Sequence, residues 1–456
     1  MIGVGVFLGP RSIAQYLTSP GLVLGAWILG GLFVFCGALT YAELGAMMPE
    51  SGGGYAYIRQ AFGPFWAYLN GWSGFAVGKA ASVSALAVGF GEILGLPRVA
   101  EVIVALVLIG AIALVNILGV RHAGRLGVWT MALKLGALVL LIVGGVLLAD
   151  RLGATASTPL VPASVTSSGA LISAFGLALV PIFFAYDGWV NSTQVAEEVR
   201  APERNVPRSL ILGTLIVMGA YVLVNLVYIL ALGGNVGATN SAASDSAQLI
   251  GNRAAIGLGD VFRLFIVFAI LASIIGTINA VTLSGPRIGY AMARDGLFFR
   301  RVDSLTRWGT PGWSIVFQAL ISVALVLVPP IGGKSLFDTL ITFIIVDSFF
   351  FYALGAACVF VFRRRMPHAP RPYRVPFYPI LPLVFVVGTA LFLVNTFVSD
   401  FWNAMGGVLI VLIGIPGYLY WSARNGPRRL RSVTYDVRAN ARDDDERARA
   451  TDERNP

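Results

Sequence analysis

Between residues 102 and 120, and again between 384 and 398, this chain carries no charged side chain, and from 21 to 47 it carries one, Glu43. A soluble helix shows its apolar residues as a stripe, whereas about 20 consecutive ones span the hydrocarbon core of a bilayer. Inside lipid every backbone N–H and C=O must be satisfied within the protein, which an α-helix achieves by itself. Twelve such blocks can be drawn: 1–16, 21–47, 65–94, 99–118, 126–149, 170–195, 209–232, 261–293, 314–328, 337–362, 378–398 and 402–421. The first is short. Only 12% of the residues are charged, about half the share of an average soluble domain. The expectation is an all-α integral membrane protein of twelve transmembrane helices, the first truncated. Residues 1–421 form the transmembrane domain. Residues 422–456 hold many Arg, the run Asp443-Asp444-Asp445-Glu446 and almost no large apolar side chain, so they read as a disordered tail.

The connecting segments alternate in charge. One set carries Arg59; Arg121 and Arg125; Arg200, Arg204 and Arg208; Arg294, Arg300, Arg301 and Arg307; and Arg363, Arg364, Arg365, Arg371 and Arg374. The other set is poorer, with Arg11, Arg98, Arg151, Arg253, Arg263 and Lys334. The positive-inside rule puts the Arg-rich set and the C-terminus in the cytoplasm of a multi-pass protein of the cell's inner membrane. The Ser/Thr/Ala/Gly-rich segments 153–169 and 233–259 read as extracytoplasmic loops. This distribution accounts for the net charge of +10 without invoking nucleic acid. Cys36 and Cys358 sit inside apolar blocks and read as buried free thiols. His122 and His368 lie in loops, no cluster has metal-ligand spacing, and no metal or cofactor is expected. The chain has no Ser/His/Asp set, phosphate loop or cofactor motif, which argues against an enzyme.

Two helices read as broken. The first block opens Met1-Ile2-Gly3-Val4-Gly5-Val6, and the sixth contains Phe184-Ala185-Tyr186-Asp187-Gly188-Trp189. They stand first in two consecutive five-helix sets, and interrupted helices at corresponding positions point to a transporter site at the membrane midplane. The plainer account of Gly-x-Gly is a close-packing surface between helices. Charges inside the blocks are functional candidates by default: Lys79, Lys134, Asp187 and Asp347. Glu43 and Arg287 lie nearer helix ends, where anchoring of loops or snorkelling is the simpler reading.

Several segments carry a resemblance. Tyr41-Ala42-Glu43-Leu44-Gly45 followed by Pro49, Ser51-Gly52-Gly53, Tyr55 and Phe62-Gly63 is one; Gly3-x-Gly5 with Phe7 is another. Phe184-Ala185-Tyr186 with Glu197-Glu198-Val199, Pro202, Arg204-Asn205 and Pro207 is a third, Tyr290-Ala291-Met292-Ala293-Arg294-Asp295-Gly296 a fourth, and Arg371-Pro372-Tyr373-Arg374-Val375-Pro376 a fifth. In this order, over nearly the whole chain, they resemble the amino acid–polyamine–organocation permease superfamily. The resemblance implies a leucine-transporter-like fold: inverted five-helix repeats at about 1–149 and 170–362, two peripheral helices at about 378–421, and a substrate pocket between helices 1, 3, 6, 8 and 10. Members of the superfamily carry an inner half of helix 1 before the glycines. This chain begins almost at them, and a misassigned start codon is the expected reason.

A zwitterion at the midplane needs fixed dipoles in place of water. Backbone N–H groups around Ile2, Gly3, Val4 and Gly5 suit a carboxylate, and C=O groups around Phe184, Ala185, Tyr186 and Asp187 suit an ammonium. The resemblance carries both roles onto these positions, with Phe184 as a candidate lid or a packing aromatic. Asp187 and Asp347 either pair with Lys79 or meet the substrate side chain. The segment Thr130–Leu138 resembles the helix 5 of permeases that place a lysine amine where others bind sodium. Lys134 then either exchanges a proton that couples transport or locks helices 1, 5 and 8 together as a fixed charge. The implied function is sodium-independent amino-acid transport, by proton symport or exchange. A polyamine or cationic amino-acid antiporter and a non-transporting amino-acid sensor are the alternatives. The expected partners are the amino acid, the bilayer and a possible coupling proton.

Overall fold

The computed structural model describes residues 2–49, 52–149, 168–194, 196, 199–239, 241–294, 296–306, 309–330 and 332–431. Met1, Ser51, Glu197, Glu198, Asp295, most of the 153–169 loop and the tail beyond 431 lie outside them, and with them the sequence readings made there. The regular secondary structure of the described residues is all helical, with no strand among them. In chain order the helices are α1 (Gly5–Tyr16), α2 (Pro20–Met47), α3 (Gly54–Phe62), α4 (Pro64–Ser73), α5 (Ala80–Ile93), α6 (Arg98–Ile117), α7 (Val120–Leu147) and α8 (Ser168–Tyr186). They continue with α9 (Asn191–Gln194), α10 (Pro202–Leu232), α11 (Ala242–Ala254), α12 (Leu258–Arg294), α13 (Gly312–Val326), α14 (Leu336–Arg365), α15 (Ile380–Ser399) and α16 (Phe401–Arg431). Among the described residues ten helical spans are long and apolar enough to cross a membrane, α4 and α5 counting as one. The first and ninth blocks are the shorter helices α1 and α13.

The helices are apolar on the outside. On α15, Leu383, Val387, Leu391, Val394 and Val398 are exposed, while the opposite face buries Phe385, Thr389, Phe392 and Thr396. A soluble helix reverses this arrangement, because water rather than hydrocarbon meets its outer face. On α6 the exposed stripe is Val99, Ile103, Val107 and Leu114, and Asn116 faces inward, where its amide donates to Asn279 of α12 at 3.0 Å.

Three features depart from the sequence reading. The segment 233–259, read as a loop, contains a 3-10 turn (Gly233–Ala238) and α11. Ser241 caps α11 by accepting from the Ser244 N–H at 3.3 Å, and the buried face is Ala242, Ala243, Ser246, Ala247, Ile250 and Gly251. Such small side chains leave little hydropathy signal. The third block is interrupted between α4 and α5 by a π-helical segment, Gly74–Lys79, which ends on Lys79. The last helix runs to Arg431, past the expected end of the transmembrane domain at 421.

Candidate substrate site

The break expected in the sixth block is present, and α1 begins at Gly5 within the glycine segment expected to break the first. Residues 2 and 3 belong to no helix and Val4 bends into α1, so the first N–H groups of α1 have no intrahelical acceptor. In the sixth block α8 ends at Tyr186, a turn spans 187–190, and α9 follows. Gly188 makes that turn with φ 89°, a conformation open to glycine and strained for other residues. α1 packs on α8, and the two segments touch: a Cβ on Gly5 would lie 2.5 Å from Ala185 Cα.

One peptide unit at the start of the chain is held from both sides. Lys134 of α7 is 7% exposed, and its ammonium donates to the Ile2 carbonyl at 2.6 Å. The N–H of the same peptide, on Gly3, donates to the Tyr221 hydroxyl at 3.2 Å. That hydroxyl in turn donates to the Ala185 carbonyl at 3.1 Å. Lys134 therefore reaches the start of the first block, and Tyr221 of α10 bridges the two segments through the backbone groups expected to meet substrate. Hydrogen bonds in series polarise each other in a low-dielectric interior, so this chain is stronger than its links taken singly. Sequence reasoning passed over Tyr221. Its signal was a tyrosine in an apolar block with Asn225 and Tyr228 at helical spacing behind it.

The remaining candidates divide. Phe184 is half-buried and meets Phe337 of α14 edge-on, with ring centroids 5.8 Å apart. The Phe184 carbonyl accepts from the Asp187 N–H at 3.4 Å. Tyr186 points away from the break and donates to the Trp27 carbonyl of α2 at 3.0 Å. Val4 is buried, and its carbonyl accepts from the Phe7 and Leu8 N–H groups of α1. Asp187 accepts from the Tyr352 hydroxyl of α14 at 2.7 Å. Asp347, on α14, is 4% exposed, and its Oδ1 has no partner among the described residues. No ion pair among the described residues includes Lys79, Asp187 or Asp347. Of the two alternatives for these carboxylates, an ion pair with Lys79 is not formed among the described residues; Asp187 is held by Tyr352, and Lys79 acts on it only at longer range.

Glu43 explains two of the sequence motifs at once. It is 2% exposed and accepts from Arg363 of α14 through both oxygens, at 2.9 and 2.6 Å. The Val375 N–H donates to it at 2.8 Å, and Arg371 approaches it at 3.5 Å. Arg371 also donates to the Phe362 and Met366 carbonyls at the end of α14, at 3.1 and 2.8 Å. The Tyr-Ala-Glu-Leu-Gly and Arg-Pro-Tyr-Arg-Val-Pro stretches therefore meet at the Arg-rich end of the molecule. Removing one partner of a buried charge network strands the others. Glu43→Ala is expected to destabilise the protein by about 3–5 kcal/mol, read as a fall in its melting temperature in detergent. An unchanged melt in that variant would deny Glu43 its anchoring role.

Comparison with known proteins agrees with this architecture. Residues 1–415 match the amino acid permease family model. The chain is 31% identical over 431 residues to the serine/threonine exchanger SteT of Bacillus subtilis (strain 168), covering 92% of each chain. It is 29% identical over 428 residues to the b(0,+)-type amino acid transporter 1 of Rattus norvegicus, covering 92% of this chain and 84% of that one. With the cystine/glutamate transporter of Homo sapiens it shares 27% over 434 residues, covering 92% and 81%. A bundle of membrane-length apolar helices, with the start of α1 packed on the break that ends α8, is the class that fold and site define. The chain belongs to the amino acid permease family, within the amino acid–polyamine–organocation superfamily. It is an amino-acid transporter and not an enzyme.

Proposed function

We propose that this permease exchanges amino acids across the membrane by alternating access, without sodium. The observation that carries the reading is the Lys134 ammonium on the Ile2 carbonyl: a side-chain cation stands beside the start of α1, in the position where the family resemblance places sodium in other permeases. Similarity to a serine/threonine exchanger supports exchange over net uptake. The inverted five-helix repeat is supported by the packing. α1 packs on α8, α2 on α10, α5 on α12 and α6 on α13, each pair joining corresponding helices of the two sets. The contact of α7 with α12 is matched by that of α14 with α5, as a pseudo-two-fold axis requires. Substrate carboxylate and ammonium meet the backbone at residues 2–5 and 184–187. To bind there they displace the Tyr221 hydroxyl from Gly3 and Ala185.

A second reading is favoured by two carboxylates, Asp347 with an oxygen that has no partner among the described residues and Asp187 next to the break that ends α8. Carboxylates near the pocket suit a cationic amino acid or a diamine. Proteoliposomes preloaded with unlabelled amino acids and challenged with a panel of labelled amino acids and diamines test both readings. Exchange requires uptake that depends on internal substrate and ignores sodium. Uptake into unloaded vesicles driven by a proton gradient would replace exchange by symport, and binding without flux would leave a sensor.

The proposed orientation puts the Arg-rich end and the C-terminus in the cytoplasm. A fluorescent reporter fused after Arg431 should therefore mature, and an alkaline phosphatase fused there should stay inactive. The reverse pattern would invert the topology.

A further inference from the structure

The last turn of α14 and the segment leading into α15 carry five arginines, and Glu43 is the carboxylate they pair with. Arg363 and Arg371 approach it at 2.6 and 3.5 Å, while Arg365 donates to the Ala61 carbonyl at 3.0 Å. Arg364 and Arg374 are exposed, and no ion pair among the described residues includes either of them. Tyr378 folds back onto this end of α14. The Arg363 guanidinium stands 3.8 Å from its ring centroid, and the Phe360 ring lies 5.7 Å from it. Arg364 follows Phe360 at i+4, so the two share a face of α14.

Beside these charges the surface turns apolar. Phe377 is 77% exposed and is held at φ 49°, a left-handed backbone that strains a bulky residue. Such strain persists only where the surroundings fix it, and it gathers at functional positions. Here the Val375 N–H is fixed on Glu43 at 2.8 Å, and the Phe377 carbonyl accepts from the Ile380 N–H at 2.7 Å. From Phe377 an exposed stripe runs on down the membrane-length helix α15, through Ile380, Leu383, Val384 and Val387. An aromatic ring at the end of a lipid-facing stripe, three residues from an exposed arginine, belongs at the depth of the lipid headgroups.

We propose that this corner binds an anionic phospholipid, with Arg364 and Arg374 supplying charge to the headgroup and the stripe of α15 carrying an acyl chain. A guanidinium matches a phosphate group in shape and charge. A zwitterionic headgroup would bring its own cation up to arginines that have no carboxylate to offset them. An acidic peptide would meet the charges and leave Phe377 and the apolar stripe uncovered. Glu43 and Arg371 hold the segment in place before lipid arrives, so little ordering cost opposes binding. The surface stands apart from residues 2–5 and 184–187, and the inference does not depend on exchange.

The test titrates the full chain in detergent with phosphatidylglycerol or phosphatidylcholine of the same acyl chains, counting bound lipid by native mass spectrometry. Phosphatidylglycerol should bind at least about tenfold more tightly, from the attraction of two arginines. Arg364→Gln with Arg374→Gln should remove most of that preference. Arg204→Gln with Arg208→Gln, an equal loss of exposed charge at the same end of the molecule, should leave it in place. Equal affinity for the two lipids, or an equal loss in both double variants, would overturn the site. Phe377→Gly supplies a separate check, because glycine accepts φ 49° without strain. It should weaken phosphatidylglycerol binding at least about fivefold with no fall in the lipid-free melting temperature. Unchanged binding, or a fall in melting temperature, would refute the lipid role of the ring.

Discussion

Replacing Gly5 by leucine is expected to abolish uptake and to lower the melting temperature together. The sequence suggests that a side chain here fills a carboxylate site. The contact geometry names a different obstacle, because a Cβ on Gly5 meets the Cα, Cβ and N of Ala185 at 2.5, 2.7 and 3.0 Å. The close-packing account of the glycine therefore applies, and the packing is between the start of α1 and the end of α8. Even Gly5→Ala forces α1 away from α8, at a penalty of about 1–3 kcal/mol for overpacking, and leucine exceeds it. Adding Ala185→Gly should not rescue Gly5→Ala, since the nearest atom, Cα, remains. Uptake and thermal melting measured on the same preparations separate the two accounts. Loss of uptake with an unchanged melt would restore the carboxylate-filling account.

Lys134→Ala is expected to cut exchange at least tenfold, matching the roughly 1.5–3 kcal/mol of a hydrogen bond from a charged donor. The substitution leaves the buried Ile2 carbonyl without its donor, and through the shared peptide it loosens the Gly3 N–H held by Tyr221. Uptake should stay independent of sodium in the parent protein. The variant also divides the two roles open to this lysine. A proton-exchanging lysine requires the response to an imposed pH gradient to vanish in Lys134→Ala. A fixed anchor requires the rate to fall with the pH profile unchanged. A parent protein that needs sodium would reject both roles. Lys134→Arg sharpens the division, because a guanidinium stays charged at every accessible pH. An anchor tolerates it in part, and a proton carrier does not.

The membrane-spanning segments were legible because hydropathy and length are local properties: a long uncharged block has no soluble alternative that hides its surface. The break after Tyr186 was legible for a related reason, since a glycine beside an acid at mid-membrane depth, Asp187-Gly188, contradicts an uninterrupted apolar helix. α11 left little signal because its buried face is, apart from Ile250, built of Ala, Ser and Gly, whose burial follows from close approach more than from hydrophobicity. The π-helical segment before Lys79 depends on how α4 and α5 pack and has no short-range signature.

Which residues belong together is a different kind of information. Lys134 and Ile2 are 132 positions apart, Tyr221 and Gly3 218, and Arg363 and Glu43 320. Composition and pattern nominate Lys134, Gly3 and Glu43 as unusual in their own segments, and the family resemblance suggests a place for some of them. Neither states that one peptide bond takes a lysine on its oxygen and a tyrosine on its nitrogen, or that Tyr352 and not Lys79 meets Asp187. A buried polar group takes whichever partner helix packing brings within about 3 Å. That outcome follows from side-chain volumes across several helices at once, so it belongs to the packed bundle and to no single stretch of chain.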